Sequence, residues 1–128
     1  MKIATYLEFK DNAKAVMETY QAIFNAEVVL EYLYDAEMTD DPAMVGKVFH
    51  AELEMGDQNL YLCDSGVEPA FPSTTLVVET EDEGKAKEIF TKLVKGGKVI
   101  REFTKMSFGP TIADVEDKFG IKWNIVIC

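Results

Sequence analysis

Residues 74–103 read TTLVVETEDEGKAKEIFTKLVKGGKVIREF, and this stretch decides the fold. Thr74 to Glu79 alternates and is rich in branched residues, so it reads as a strand. Thr80-Glu81-Asp82-Glu83 fits a capping box, with Glu three residues after Thr. Ala86, Ile89, Phe90, Leu93 and Val94 then recur at helical spacing. Acids crowd the first turn of that helix and Lys92 and Lys95 its last, as the helix dipole favours. Gly96-Gly97 supplies the left-handed stop. Lys98 to Phe103 returns as a strand. Toward the C-terminus, Thr104 to Pro110 is a loop and Ile112 to Glu116 a strand. Lys118-Phe119-Gly120 turns the chain, and Ile121 to Ile127 closes it as a last strand.

The N-terminal half has the same order. Ile3 to Phe9 is a strand, and Asp11-Asn12 caps a helix whose stripe is Ala13, Val16, Met17, Tyr20, Ile23 and Phe24. Val28 to Tyr34 is a strand, and Asp35 to Gly46 a polar loop. In Val48 to Met55, Phe49, Ala51, Leu53 and Met55 alternate against His50, Glu52 and Glu54, a strand with one wet face. Gly56-Asp57 turns it into a hairpin with Asn59 to Cys63. Module one therefore covers about 1–64, a linker with Gly66, Pro69 and Pro72 covers 65–72, and module two covers about 73–128. Leu7, Phe9, Val16, Tyr20, Phe24 and Val29 fall opposite Leu76, Val78, Ala86, Phe90, Val94 and Val99. Ala51-Glu52-Leu53 falls opposite Ala113-Asp114-Val115. The expected fold is one α+β domain of two tandem βαβββ modules.

Composition narrows the function. The 128 residues suit one domain that buries a core. A net charge of −10 argues against nucleic acid and against an anionic membrane surface, because both need Lys and Arg. Two cysteines, Cys63 and Cys128, form no CxxC pair and no disulfide framework. No apolar run suits a signal peptide or a membrane span, so a cytoplasmic chain with reduced thiols is expected.

Several short motifs carry a family resemblance. They are Tyr6-Leu7-Glu8-Phe9 with Asn12-Ala13, then Tyr20, Phe24, His50-Ala51, Leu53 and Asp64. Leu93, Gly96-Gly97, Phe108-Gly109, Asp117, Phe119-Gly120 and Trp123 continue the series. With the duplicated module, the chain resembles the vicinal oxygen chelate superfamily of glyoxalases, bleomycin-resistance proteins and extradiol dioxygenases. Within it the chain is similar to PhnB-like proteins, also called demethylubiquinone methyltransferase-type domains. The resemblance covers essentially the whole chain. It implies a mixed sheet curled around a cleft, in a homodimer. The chain departs from the family's pattern where Trp-Gly becomes Phe108-Gly109 and Tyr-Gly becomes Ile112-Ala113.

The resemblance also implies a place for a metal. Superfamily enzymes hold a divalent ion with His, Glu or Gln on the first and last strands of each module, and the ion polarises two vicinal oxygens. The matching positions here offer Tyr6, Glu8, Asp64, Ser73, Thr75 and Asn124. The single histidine, His50, lies on a strand those enzymes do not normally use. No metal or other cofactor is expected from this set, although the family admits a divalent ion. His50 with Glu52 and Glu8 is the acid–base candidate, since histidine titrates near neutrality and carboxylates pair with it. Tyr6, Glu8, His50, Glu52, Tyr61, Asp64, Thr75, Phe108 and Asn124 are the expected ligand-lining residues. Cys63 follows Tyr61 onto that same face, and Trp123 reads as core. No glycine-rich phosphate loop, methyl-donor turn or nucleophile elbow occurs. The first expectation is a protein that binds a small organic molecule without a metal. The alternative is a metal-dependent or acid–base lyase, isomerase or dioxygenase. A third reading is an interaction module that uses the cleft at a subunit interface.

Overall fold

The computed structural model describes residues 2, 4–69 and 74–128. The backbone divides into two compact units, Met1–Ala70 and Phe71–Cys128. The first contains β1 (Thr5–Phe9), α1 (Ala13–Phe24), β2 (Glu27–Leu33), β3 (Val48–Met55) and β4 (Gln58–Asp64). The second contains β5 (Thr75–Thr80), α2 (Glu83–Leu93), β6 (Lys98–Lys105), β7 (Thr111–Glu116) and β8 (Lys122–Ile127). Each unit forms one four-stranded sheet, ordered β1-β4-β3-β2 and β5-β8-β7-β6. In both, the first strand runs parallel to the last and the remaining pairs are antiparallel. The chain is thus α+β, with tandem modules of one helix and one mixed sheet each.

Alternation decides which strand residues are buried, because successive side chains point to opposite faces. In the first unit Leu7, Phe9, Ala51, Leu53, Leu60 and Leu62 are buried, together with Ala13, Val16, Met17 and Tyr20 of α1. In the second, Ala113, Val115, Trp123 and Ile125 are buried with Ala86, Ile89 and Leu93 of α2. Ala51 and Ala113 are both fully buried on the central strands. Ala51 pairs with Leu62, and Ala113 with Ile125. Followed outward through the ladders, Leu7 answers Val78 rather than the Leu76 expected from the sequence. A two-residue offset keeps every side chain on its own face, so hydrophobic pattern alone does not detect it.

Three local expectations change. Phe49 is 46% exposed rather than core, and Val48 is buried in its place. The cause is an extra residue in β3: Tyr32 pairs with His50 but Leu33 pairs with Val48. At α2 the capping residue is Asp82, whose carboxylate accepts from the Lys85 N–H at 3.0 Å, while Thr80 accepts from the Asp82 N–H at 3.1 Å. At α1, Asn12 occupies the N-cap position without a side-chain capping bond. The cap is delivered from β4 instead. One Asp64 carboxylate oxygen accepts from the Ala13 N–H and the other from the Val48 N–H, both at 2.9 Å.

Asp117 plays a comparable part in the second unit. Its carboxylate accepts from the N–H groups of Phe119 and Ile121 and from the Trp123 indole N–H. After α2, Gly96 takes the left-handed conformation, with φ +75°. At Gly97 a Cβ would strike the carbonyl oxygen of Glu116, so only glycine fits this approach of the loop to β7. No helix among the described residues is long and apolar enough to cross a membrane.

Asp64→Ala leaves two backbone N–H groups without acceptors in a site that is 1% exposed. The expected loss is about 2–6 kcal/mol, from roughly 1–3 kcal/mol per buried unsatisfied group. Urea denaturation reads it as a lowered midpoint, and an unchanged midpoint would contradict the assignment.

Candidate functional site

The face of the first sheet away from α1 collects the ionisable and aromatic side chains of that unit. Parity places them: Tyr6 and Glu8 on β1, His50 and Glu52 on β3, and Tyr61 and Cys63 on β4. Register then brings them together on neighbouring rungs of that face. Tyr6 lies beside Tyr61, Tyr61 beside Glu52, and His50 beside Tyr32 of the edge strand β2. The Tyr6 hydroxyl is 2.7 Å from His50 Nδ1, and His50 Nε2 is 3.1 Å from a Glu52 carboxylate oxygen. The Tyr61 ring meets Tyr6 edge-on at 5.8 Å and His50 edge-on at 5.3 Å. Lys2 Nζ stands 5.5 Å from the Tyr61 ring centroid, within cation–π range.

The hydrogen-bond directions follow from chemistry. An ionised carboxylate only accepts, so Nε2 carries the hydrogen toward Glu52. A neutral imidazole then has Nδ1 as its acceptor, and the Tyr6 hydroxyl donates to it. The environment opposes ionisation of Tyr6. Burial, then Cys63, then the Glu8 carboxylate and Tyr34 push its pKa from 10.0 to about 12. Burial also raises the Cys63 thiol, against the lowering effect of its hydrogen bond to Tyr6. Tyr34 is raised too, first by burial and then by Cys63, Asp64 and Glu8. Its hydroxyl donates to the Asp64 carbonyl at 2.9 Å.

Tyr6, Glu8, His50, Glu52 and Tyr61 therefore share one face. Asp64 does not join them: it has the parity of Leu60 and Leu62, and its carboxylate is committed to backbone N–H groups on the helix side. Thr75, Phe108 and Asn124 belong to the second unit. Thr75 is exposed at the start of β5, and Phe108 is 75% exposed in the turn between β6 and β7. The Asn124 side chain donates to Asp114 at 2.6 Å, and Asp114 faces Arg101 at 3.5 Å. Ser73 lies outside the described residues. Tyr32 is the residue that the sequence reading missed. The signal for it was its position opposite His50 across an antiparallel pair, which requires the register.

The second sheet does not repeat this cluster. Through the rungs of Ala51 and Ala113, Val77 answers Tyr6, Ile112 answers His50, Asn124 answers Tyr61 and Asp114 answers Glu52. Only the acidic position is shared. Among the described residues no three His, Cys, Asp or Glu side chains gather as a metal would require.

The comparisons agree on what kind of chain this is. A two-module frame of this topology defines the glyoxalase and bleomycin-resistance fold. A bleomycin-resistance determinant encoded on the transposon Tn5 shares it at a TM-score of 0.61 and 14% identity, covering 98% of this chain and 96% of that one. A structure from Bacillus cereus described as a putative 3-demethylubiquinone-9 3-methyltransferase, PhnB protein, matches at a TM-score of 0.83 and 29% identity over 98% of both chains. A Pseudomonas aeruginosa protein matches at 0.77 and 22% identity, covering 98% of this chain and 96% of that one. No curated protein matches. The family model described as 3-demethylubiquinone-9 3-methyltransferase spans residues 1–126, and the chain belongs to that PhnB-like family.

The raised Tyr6 pKa has a consequence for stability. The folded state holds the Tyr6 proton above the ordinary value of 10.0, so this contribution is intact below about pH 10 and is lost as pH climbs toward 12. Urea midpoints at pH 9 and pH 11 should therefore fall less in Tyr6→Phe than in the parent chain; equal falls would contradict the assignment.

Proposed function

We propose that this chain binds a small planar organic molecule on the open face of its first sheet, without a metal. The observation that carries the reading is the cluster of Tyr6, Tyr61, His50 and Tyr32 on two rungs, with the Tyr6 hydroxyl and Glu52 beside the rings. Tyr6 is 45% and Tyr32 57% exposed, so their rings are open to a partner. Aromatic faces supply contact area, and a few fixed polar groups supply orientation, which is the usual composition of a small-molecule site. The shared fold of a bleomycin-resistance determinant is compatible with such a role, and at 14% identity it speaks for the fold alone. Methyl transfer, the activity in the family's description, finds little support here. The strand-to-helix turns are Lys10-Asp11-Asn12 and Glu81-Asp82, without the glycines that let a backbone close around a methyl-donor cofactor. Among the described residues the metal-assisted lyase, isomerase or dioxygenase reading has no converging donor set to rest on.

Calorimetry against a panel of planar phenols, quinols and aryl ketones tests the reading. At least one member should bind, and Tyr61→Ala should weaken it about 2- to 13-fold, from the roughly 0.5–1.5 kcal/mol that an aromatic pair contributes. A panel without a binder, or a Tyr61→Ala variant that binds undiminished, would overturn it.

We also propose that the chain pairs with a second copy. Val29 and Leu33 of the edge strand β2 are 44% and 41% exposed, and an uncovered apolar edge invites pairing. Light scattering at micromolar concentration should give twice the mass of one chain; a monomer would reject this.

A further inference from the structure

We propose that Glu52, His50 and Tyr6 form a proton relay that ionises an acidic hydroxyl of the bound molecule, a phenol or an enol. The inference rests on the binding reading above and adds a class of ligand and a chemical event to it. Three groups in series are joined by two hydrogen bonds of 2.7 and 3.1 Å. Accessibility is graded along the series. The His50 and Glu52 side chains are only 22% and 21% exposed, whereas Tyr6 is 45% exposed. A ligand oxygen therefore meets the Tyr6 hydroxyl first, and the imidazole is reached through it.

The step balances without any further reactant. The O–H bond of the ligand breaks and its proton passes to Tyr6 Oη. The proton that Tyr6 held passes to His50 Nδ1. The products are a ligand oxyanion, a neutral Tyr6 and an imidazolium. Nε2–H still points at the Glu52 carboxylate, which stabilises the new positive charge. Tyr6 never carries the negative charge itself, so its resistance to ionisation is no obstacle. That resistance has a use: a neutral tyrosine hydroxyl remains a donor to the oxyanion it has helped to form.

Several side chains share the face of His50: Glu8 and Tyr6 on β1, Tyr32 on β2, Glu52 on β3, and Tyr61 and Cys63 on β4. Two of these are carboxylates, and the Lys2 ammonium stands over the Tyr61 ring. The aromatic rings supply the surface for the ring that carries the ligand hydroxyl.

Because His50 is the single histidine of the chain, nitrogen NMR of the imidazole reports on it without assignment. In the ligand-free protein the neutral ring should be the Nε2–H tautomer, with Nδ1 shifted by an accepted hydrogen bond that Tyr6→Phe removes. An Nδ1–H tautomer, or an Nδ1 signal indifferent to Tyr6→Phe, would overturn the relay whether or not any ligand is known. The second arm uses 4-nitrophenol, whose ionised form absorbs at longer wavelength. About one pH unit below the probe's own pKa, saturating protein should raise the ionised fraction from about one-tenth to above one-half. Tyr6→Phe and His50→Gln should each return the bound probe to its neutral spectrum. A bound probe that stays neutral with the parent protein, or ionises equally with Tyr6→Phe, contradicts the relay while leaving binding intact. A probe that does not bind counts against the binding reading, and the tautomer then decides the relay alone.

Discussion

One helix covers one face of each four-stranded sheet, and that single constraint governs every second residue of the strands. A side chain with helix-side parity must be apolar or fully hydrogen-bonded, because burial of an unpaired polar group is costly. Leu7, Ala51, Leu53 and Leu62 meet the first condition, and Asp64 meets the second through the Ala13 and Val48 N–H groups. A side chain of opposite parity carries no such requirement. His50, Glu52, Tyr6, Glu8, Tyr61 and Cys63 all have it. The polar cluster is thus a product of strand alternation, assembled by register from β1 and the β3–β4 hairpin.

The comparison between modules shows how strictly the two faces are separated. On the helix side the units match closely: Ala51 and Ala113 are both fully buried, as are Leu53 and Val115. On the open side they diverge. Glu52 and Asp114 keep an acid in place, but Glu52 serves His50 while Asp114 accepts from Asn124 and faces Arg101. Where the first sheet has Tyr6 and His50, the second has Val77 and Ile112. The fold tolerates this because core packing and ladder hydrogen bonds do not pass through the open face. A duplicated frame therefore carries two unlike surfaces.

Much of this was legible in the residues. The βαβββ order follows from strand alternation, two helical stripes and the Gly96-Gly97 stop, each a local signal. The shared face of His50 and Glu52 follows from their spacing of two on one strand. What escaped depended on contacts between distant segments. Phe49 reads as core until the pairing of β2 and β3 shows the extra residue that turns it outward. Thr80 reads as a cap because the capping-box spacing is satisfied, yet it is Asp82, two residues on, that reaches the Lys85 N–H, a local exception. Asp64 reads as a site residue from the family position it matches at the end of the first module. Its parity with Leu60 and Leu62 was the contrary signal, but an acid on an apolar face is believable only when its backbone donors are visible. Tyr32 was invisible for the same reason, since only register sets it against His50.

His50 lies on the open face and is held there between Tyr6 and Tyr61. Nuclear Overhauser contacts from the two carbon-bound protons of the His50 imidazole test it most directly. The account predicts cross-peaks to the ring protons of Tyr6 and Tyr61, whose centroids lie 5.5 and 5.3 Å from the imidazole. Cross-peaks instead to Val16 or Met17 of the helix would place His50 on the buried face and contradict the account.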